Sequence, residues 1–485
     1  MSISATLNNA FTGLTAAARG ADVISQNLAN ALTDGYGRRQ LELSSRSLGG
    51  AGGGVTIEGV SRQVSPAILA DRRLADAREG GSQRTRNFLA AIEAALGAPG
   101  EPGALTARYE AFESALTAAI SRPDSGPRLN AVLDAAKALT AQFGMATDAI
   151  QAERSAADQA IATEVETLNS ALDRLVELNR DVRVAMATGN DANAYLDERQ
   201  RLVDQVSAIV PVREIPRENG QIALITTGGA VLLDGLAAEV GFTPTATIVA
   251  GMSVESGALS GLTLRGLPVS ATAEGGLLGG GSLGANFTVR DNLAPLAQQR
   301  LDAVARDLVE RFQDPAADPT RAAGSPGLFT DWGAALDPAN ETGLAGRLRV
   351  NALADPAQGG EAWRLRDGLG AVAPGPVGQA AGLMALANAL TGLREPASGE
   401  FSPGNRSAPG LVADMLAGIG VARQTAESDL AYAAARRENL RGAELASGVD
   451  TDQELQRLLV VEKAYAANAR VVTAAEAMLD RLMEI

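Results

Sequence analysis

The sequence predicts a mainly α-helical protein with a small inserted β domain, arranged as a discontinuous terminal coiled coil and a helical-bundle shaft. Three observations support this fold class: a heptad repeat at each end, helical periodicity through much of the middle, and one stretch of short apolar runs separated by glycine-containing turns. The chain has 485 residues, of which 46% are hydrophobic and 20% charged. These values are typical of a folded protein with several domains.

The first element is a helix with a heptad repeat. Apolar residues recur at alternating steps of four and three, and we expect the helix to end near Asp34 and Gly35, with extended chain from Tyr36. The members of this repeat are Ile3, Leu7, Ala10, Leu14, Ala17, Ala21, Ile24, Leu28 and Ala31.

The last element has the same rhythm, with Asn468 as its one polar member. A polar residue in such a seam often fixes register or oligomeric state. A period near 3.5 favours a two-helix seam without naming the partner helix, so packing of each helix on its own domain core is an equal alternative. The members of this repeat are Leu458, Val461, Tyr465, Asn468, Val472, Ala475, Leu479 and Leu482.

The segment that follows the first helix predicts a β-hairpin with a glycine-rich turn at 49–54, and then a helix that starts near Pro66. Further helical stretches are expected at about 83–97, 104–121 and 127–188, with breaks at 98–100 and 122–124. The length of the last stretch is typical of a long helix in a bundle.

From 212 to about 278 the pattern changes to short apolar runs, which predicts the inserted β domain. Helix returns near Leu293 and continues to Phe312, and 327–410 is the least regular part, with a strand at 348–350 and a helix at 380–393. We therefore expect three domains. They are a terminal coiled coil from 1–40 and 445–485, a helical shaft from 41–211 and 290–444, and a β domain from 212–289.

The sequence contains no cysteine and no histidine, which excludes disulfides, Cys/His zinc sites and catalysis by a thiol or an imidazole. The glycines of 279–284 fit G-x-G-x-x-G, but neither a clear strand before them nor a phosphate-binding lysine is present, so we interpret them as a turn. The carboxylates of Asp197, Glu198 and Asp204 lie on one predicted helix and are interpreted as solvated or salt-bridged to Arg199 and Arg201. We therefore expect no enzyme activity and no catalytic, cofactor or metal site.

The charge balance also limits the partners of the chain. The net charge of −15 argues against a nucleic-acid surface, because binding phosphates requires clustered basic residues. No apolar run approaches the ~18 residues that a membrane-spanning helix requires, so we expect no membrane insertion.

Two terminal segments carry a resemblance to a known family. Residues 25–36, SQNLANALTDGY, resemble the S-x-N-I-A-N-x-x-T-x-G-Y signature of bacterial flagellar rod, hook and hook-associated proteins, and 448–480 is similar to the C-terminal signature of that family. The resemblance implies paired terminal helices that line the channel of a tubular assembly. The subunit-interface residues expected on this basis are Ile3, Leu7, Leu14, Ile24, Asn27, Leu28, Asn30, Tyr36, Leu458, Val461, Tyr465, Asn468, Val472, Leu479 and Leu482.

Two middle segments, 195–207 and 280–291, resemble the hook-associated members of that family. The resemblance implies a structural subunit of the junction between hook and filament, assembled as a ring at the distal end of the hook. The implied partners are further copies of the chain, the hook protein, a second junction protein (hook-associated protein 3) and a flagellar export chaperone. The implied location is extracellular, on the flagellum, after export through the type III route without a cleaved signal peptide.

Two alternatives remain open from the sequence. A hook or distal-rod protein shares the terminal signatures but would have a mainly β middle, whereas 83–210 indicates helix. A cell-wall hydrolase attached to the flagellum would use a paired Asp/Glu cleft, which the sequence does not reveal. Tyr36 and Tyr465 are interface anchors or, equally, members of the protein's own core.

Overall fold

The computed structural model describes residues 3–48, 51–98, 100–272 and 276–483. The chain is 62% helical with a few small antiparallel sheets, which confirms the predicted fold class. The helices are α1 (Ile3–Ala29), α2 (Pro66–Leu96), α3 (Leu105–Ser121), α4 (Gly126–Thr188), α5 (Asn193–Ile209), α6 (Gly281–Thr288), α7 (Ala294–Gln313), α8 (Leu344–Arg347), α9 (Arg364–Asp367), α10 (Ala381–Thr391), α11 (Ala408–Ser447) and α12 (Thr451–Met483).

Within the described residues the strands form four separate antiparallel sheets, with the orders β1-β2, β3-β4-β5-β6, β7-β8-β9 and β10-β11. The first sheet is a long hairpin that pairs Arg38 with Gln63 at its base and lies against α1. Residues 49 and 50 of the predicted hairpin turn, and residue 99 of the predicted helix break, lie outside the described residues. The strands are β1 (Arg38–Leu48), β2 (Ala51–Gln63), β3 (Val212–Pro216), β4 (Ile222–Thr226), β5 (Val231–Asp234), β6 (Leu236–Ala237), β7 (Val240–Gly241), β8 (Leu262–Leu264), β9 (Leu267–Val269), β10 (Phe329–Asp331) and β11 (Leu348–Val350).

The 63-residue helix α4 is shared by two hydrophobic cores. Its first half, to Ala157, packs with α3, α7, α10 and α11 around three mutually contacting phenylalanines, Phe112, Phe312 and Phe329. Its second half, from Ile161, packs with α5, α6 and strands β3–β9. One helix therefore joins two parts of the molecule. They are the part of the shaft around the three phenylalanines, which we call the lower shaft, and the β domain.

A buried ion pair lies where the two cores meet. The guanidinium of Arg290, which is 0% exposed, donates to the Oδ1 of Asp158 at 2.7 Å, and the Oδ2 of Asp158 accepts from the Thr245 N–H at 2.6 Å. Arg290 lies in a π-helical turn, Val289–Leu293, between α6 and α7, and stacks on the rings of Phe242 and Phe287. The pair thus connects α4, the start of α7 and the β domain.

Helices α2 and α11 pack against each other as an antiparallel pair. Its ion pairs repeat at seven-residue intervals or multiples of them: Glu93 with Arg423 at 2.6 Å, Glu79 with Arg437 at 3.2 Å, and Glu444 with Arg72 at 2.5 Å. This spacing is that of a coiled-coil seam flanked by opposite charges.

Three expectations about helix ends were wrong. Helix α1 ends at Ala29 rather than near Gly35, because the Asn30 side-chain amide bonds the Gln26 carbonyl and the chain then turns. Helix α2 runs unbroken from Pro66 to Leu96 through Gly81, where a Cβ atom would lie only 3.1 Å from the Gly281 carbonyl oxygen of α6. The helix expected from Leu293 starts at Gly281 and contains the π-helical turn.

Candidate functional site

The two terminal helices pack against each other in an antiparallel pair, α1 with α12. Gly13 faces Asn468, Gly20 faces Val461, and Asn27 contacts Glu454. Each step is seven residues along both helices, so the pair keeps one heptad register from Asn27 to Gly13.

Small residues of α1 bring the two helices close together. A Cβ atom at Gly13 would lie 2.7 Å from the Asn468 Nδ2, whereas one at Gly20 would lie 3.5 Å from a Val461 methyl carbon, an ordinary contact. The buried residues of α1 include Ala10, Ala16, Ala17 and Gly20. The residues shown to face α12, Gly13, Gly20 and Asn27, each lie one position before a member of the predicted repeat.

A polar cluster closes the pair at the end of α1. Asn27 is fully buried, and its amide donates to the Arg39 carbonyl oxygen at 2.9 Å and to the Glu454 carboxylate at 3.2 Å. Its side-chain oxygen accepts from the Tyr36 hydroxyl at 2.8 Å and from the Arg39 N–H at 2.9 Å. Asn27 therefore makes all four hydrogen bonds that an amide side chain can make.

Glu454 is the contribution of α12 to this cluster, and its side chain is almost completely buried. Besides Asn27, its carboxylate accepts from Arg38 at 2.8 Å and from Arg457 at 3.1 Å. Because a buried carboxylate is stable only when paired, these bonds fix α12 against the hairpin base as well as against α1.

The shaft joins the cluster through Asp197 of α5. This carboxylate accepts from the Gly37 N–H at 3.0 Å, from Arg39 at 3.3 Å and from Arg62 at 2.6 Å. Arg62 also donates to Gln200 and to the Gly35 carbonyl oxygen. The terminal pair is therefore attached to the shaft by charge-assisted bonds, which are the stronger class of hydrogen bond.

The backbone conformation between α1 and β1 makes this cluster possible. Gly35 has a φ of +78°, which reverses the chain after α1 and returns Tyr36 onto Asn27. Burial raises the pKa of the Tyr36 phenol, so the hydroxyl stays a donor at neutral pH. The Arg39 guanidinium lies 5.1 Å from the centre of the Tyr36 ring. The N-terminal signature thus encodes a chain reversal and its hydrogen bonds.

The residues predicted as interface residues lie in several places. Asn27 and Tyr36 meet in the polar cluster, Val461 and Asn468 face α1, and Ile24 is buried within the chain. Three further residues, Tyr465, Leu479 and Leu482, are exposed on α12. The half-buried remainder comprises Ile3, Leu7, Leu14, Leu28, Asn30, Leu458 and Val472.

Helix α12 leaves most of its surface uncovered. Only Glu454 and Ala475 are buried along its 33 residues. Large apolar side chains are exposed along its length, among them Leu459 at 56%, Val460 at 67% and Leu482 at 59%. Large apolar side chains exposed in this number along one helix are typical of a protein–protein contact.

Sequence reasoning missed the glycines of the seam and the partners from the shaft. Gly13, Gly20 and Asn27 recur at intervals of seven, and this repeat of small and amide residues was a signal that a search for apolar residues overlooks. Asp197 and Arg62 gave no such signal. They are 135 residues apart from each other in the sequence, and only the folded structure brings them together.

Replacing Gly13 by leucine is expected to push α12 away from α1, because the new side chain would occupy the position of Asn468. Overpacking of this kind typically costs ~1–3 kcal/mol. We expect the backbone amides of α12 to exchange with deuterium about tenfold faster or more, since 1.4 kcal/mol is a factor of ten. Gly20→Ala is the control with little expected effect, and unchanged exchange in Gly13→Leu would contradict the close contact.

The described residues contain no group of three or more acidic, histidine or cysteine side chains that could hold a metal ion. Within the same residues, no helix combines the length and apolar character needed to cross a membrane.

Comparisons with known proteins match both the middle and the end of the chain. The family model of the flagellar hook-associated protein FlgK helical domain matches residues 89–328, and that of the flagellar basal body rod FlgEFG protein C-terminal matches residues 441–485.

Curated relatives agree with these family models. Flagellar hook-associated protein 1 of Bacillus subtilis is 23% identical over 519 aligned positions, which cover 98% of this chain and 97% of the relative. The protein of the same name from Salmonella typhimurium is 25% identical over 49% of this chain and 44% of its own length. Among solved structures, the flagellar hook junction protein FlgK from Burkholderia pseudomallei aligns over 55% of this chain and 46% of its own, with a TM-score of 0.43 and 19% identity.

Proposed function

The chain belongs to the family of flagellar hook-associated protein 1, and we propose that it is a non-enzymatic structural subunit of the junction between the flagellar hook and the filament. In this proposal it assembles as a ring at the distal end of the hook. The proposed partners are neighbouring copies, the hook protein, hook-associated protein 3 and an export chaperone. The proposed location is outside the cell, reached without a cleaved signal peptide.

The observation that carries this proposal is the uncovered apolar surface of α12. Leucine and valine side chains that are half exposed or more gain roughly 25 cal/mol for each Å² of apolar surface that a partner covers. The α1 and α12 helices of a neighbouring copy would cover this surface. The apolar side chains of α12 that are exposed in one chain would then be buried between two chains. Among the interface residues predicted from the sequence, Tyr465, Leu479 and Leu482 are exposed and would be covered directly by a neighbour. Ile24 and Asn27 are buried within the chain and would hold the terminal pair in the shape that the neighbour meets.

The attachment of the terminal pair supports the same role. Asp197 and Arg62 join the pair to the shaft, so a force on the terminal helices is transmitted to α5. A junction between two tubular parts requires a subunit in which the channel-lining segment and the outer body cannot separate. The polar cluster meets this requirement in each copy.

The helical middle favours the junction over the hook or the distal rod. Residues 89–328 match a helical-domain model from the hook-associated protein, and α3, α4 and α5 lie in this segment. The family model named for rod proteins matches only residues 441–485. In our interpretation, this C-terminal segment is common to the whole family.

The test is deletion of the gene in its host, with electron microscopy of the cells and detection of flagellin in the medium. We expect intact hooks without filaments and flagellin lost to the medium, with filaments restored by the wild-type gene supplied in trans. Missing hooks would assign the protein to the hook or the rod. Normal filaments would contradict a role in the axial structure.

A further inference from the structure

The turn between β10 and the loop before α8 has an unusual residue at its tip. Asp331 and Ala334 exchange two backbone hydrogen bonds, of 3.1 and 2.9 Å, around Trp332 and Gly333. Both central residues have positive φ, +52° for Trp332 and +91° for Gly333. Two positive values between reciprocally bonded residues define a two-residue type I′ turn.

Tryptophan is a poor choice for this position. The first central residue of a type I′ turn is usually asparagine, aspartate or glycine, because a bulky side chain is strained in the left-handed region. Among the other described left-handed residues that precede a glycine, Asn219 obeys that preference, whereas Arg265 departs from it at the β8–β9 turn. Trp332 is also 70% exposed, so burial within its own subunit does not offset the strain. When a residue departs from the preference of its turn and is not buried in its own subunit to compensate, a functional role is indicated.

The backbone of the turn that carries Trp332 is held in a fixed position. The backbone N–H of Trp332 donates to the Arg347 carbonyl oxygen at 3.0 Å, and the backbone N–H of Gly333 donates to the Thr330 hydroxyl at 3.0 Å. Arg347 also binds both carboxylate oxygens of Asp331, at 2.8 and 3.0 Å. A partner would therefore meet a turn that is already ordered, so little backbone entropy is lost on contact.

An unpaired cation accompanies the indole. The Arg349 guanidinium lies 5.0 Å from the centre of the Trp332 ring and donates only to backbone carbonyl oxygens, those of Gly346 and Leu348, among the described residues. No described carboxylate lies within ion-pair distance of it. We name the exposed pair of Trp332 and Arg349 the Trp332 knob.

We propose that the Trp332 knob docks onto a neighbouring copy of this chain, at an apolar depression flanked by carboxylates. The proposal rests on the proposed ring and adds to it a contact outside the terminal helices. Tryptophan and arginine are the residue types that most often carry the binding energy of protein contacts. The knob lies between the two segments that match family models, 89–328 and 441–485, so it is separate from the shared terminal helices.

Charge argues for a second copy as the occupant. The chain has 57 acidic and 42 basic residues, so a neighbouring copy presents an excess of carboxylates to the free guanidinium. A ring also requires a head-to-tail contact, in which a protruding group on one side of a subunit meets a different surface on the next subunit. A single protruding knob fits that arrangement.

The first test places a photo-cross-linking amino acid at position 332 in flagellated cells. We expect a product of twice the monomer mass, containing only this chain, in about tenfold higher yield than with the same amino acid at Val372, which is 99% exposed. Adding Arg349→Glu is expected to reduce the yield. Absence of the product in cells that carry filaments, equal yield at Val372, or a product containing another protein would overturn the proposal while leaving the junction role intact.

The second test uses Trp332→Asn, which places the favoured residue in the turn. We expect its melting temperature to equal or exceed that of the wild type, while filaments detach more readily under shear. A lower melting temperature would assign Trp332 a structural role within the subunit, and wild-type shear resistance would contradict the docking role. Deletion of the gene tests the junction role separately, because it removes the filaments altogether.

Discussion

Replacing Glu454 by alanine is expected to release α12 from the rest of the molecule. The change would leave Asn27 and Arg38 without their shared acceptor, and the Arg38 side chain is only 14% exposed. Removing one partner of a buried ion pair typically costs ~3–5 kcal/mol, because the other charge remains buried and unpaired. Since few other residues of α12 are buried, we expect this loss to appear as local opening of α12 rather than as global unfolding.

Hydrogen exchange measured by mass spectrometry checks this expectation. Amides of α12 should exchange on the order of a hundredfold faster or more in Glu454→Ala, while amides of α4 keep their wild-type rates. In cells, the variant should leave hooks without stable filaments. Glu462→Ala removes an exposed carboxylate from the same helix and is the matched control. Wild-type exchange in α12 of Glu454→Ala would show that the carboxylate does not hold the helix.

Replacing Asp158 by alanine is expected to weaken the connection between the two cores. The change removes an acceptor from the fully buried Arg290 and another from the Thr245 N–H. We expect a loss of ~3–5 kcal/mol in the free energy of unfolding, although Asp291 still pairs with Arg290 at 2.8 Å. Because the pair lies between the cores, the β domain and its part of α4 should melt before the lower shaft.

Differential scanning calorimetry tests this effect through the number of transitions and their temperatures. The expected result for Asp158→Ala is an added low-temperature transition, with the main transition little changed. Asp173→Ala removes an exposed carboxylate from the same helix and should melt like the wild type. A single transition at the wild-type temperature in Asp158→Ala would mean that the buried pair contributes little to the connection.

Periodicity predicted the helices well and their contacts less well. The heptad repeat placed a helix at each end because apolar spacing follows directly from 3.6 residues per turn. It did not reveal that Gly13 and Gly20 face α12, because glycine has no apolar side chain and is therefore not counted in a hydrophobic repeat. The contact depends on the smallest side chain, which matters only when a second helix is already close.

The polar cluster shows a similar limit. The signatures drew attention to Asn27 and Tyr36, but the sequence did not predict that Glu454, Asp197 and Arg62 would meet them. Polar side chains select partners by direction and distance within a few Å, and these depend on how whole helices dock. The buried Arg290 was unpredictable for the same reason, since its carboxylate partner lies 132 residues away.

The antiparallel pairing of α1 with α12 has a consequence for the order of folding. Asn27 and Glu454 are separated by 427 residues, so the first helix to be synthesised has no partner until the last one is complete. Joining distant segments costs loop-closure entropy, but prior pairing of α2 with α11 brings the two ends near each other and reduces that cost. The terminal pair should therefore close last during folding and open first during unfolding, so the shaft acts as the template on which the ends assemble.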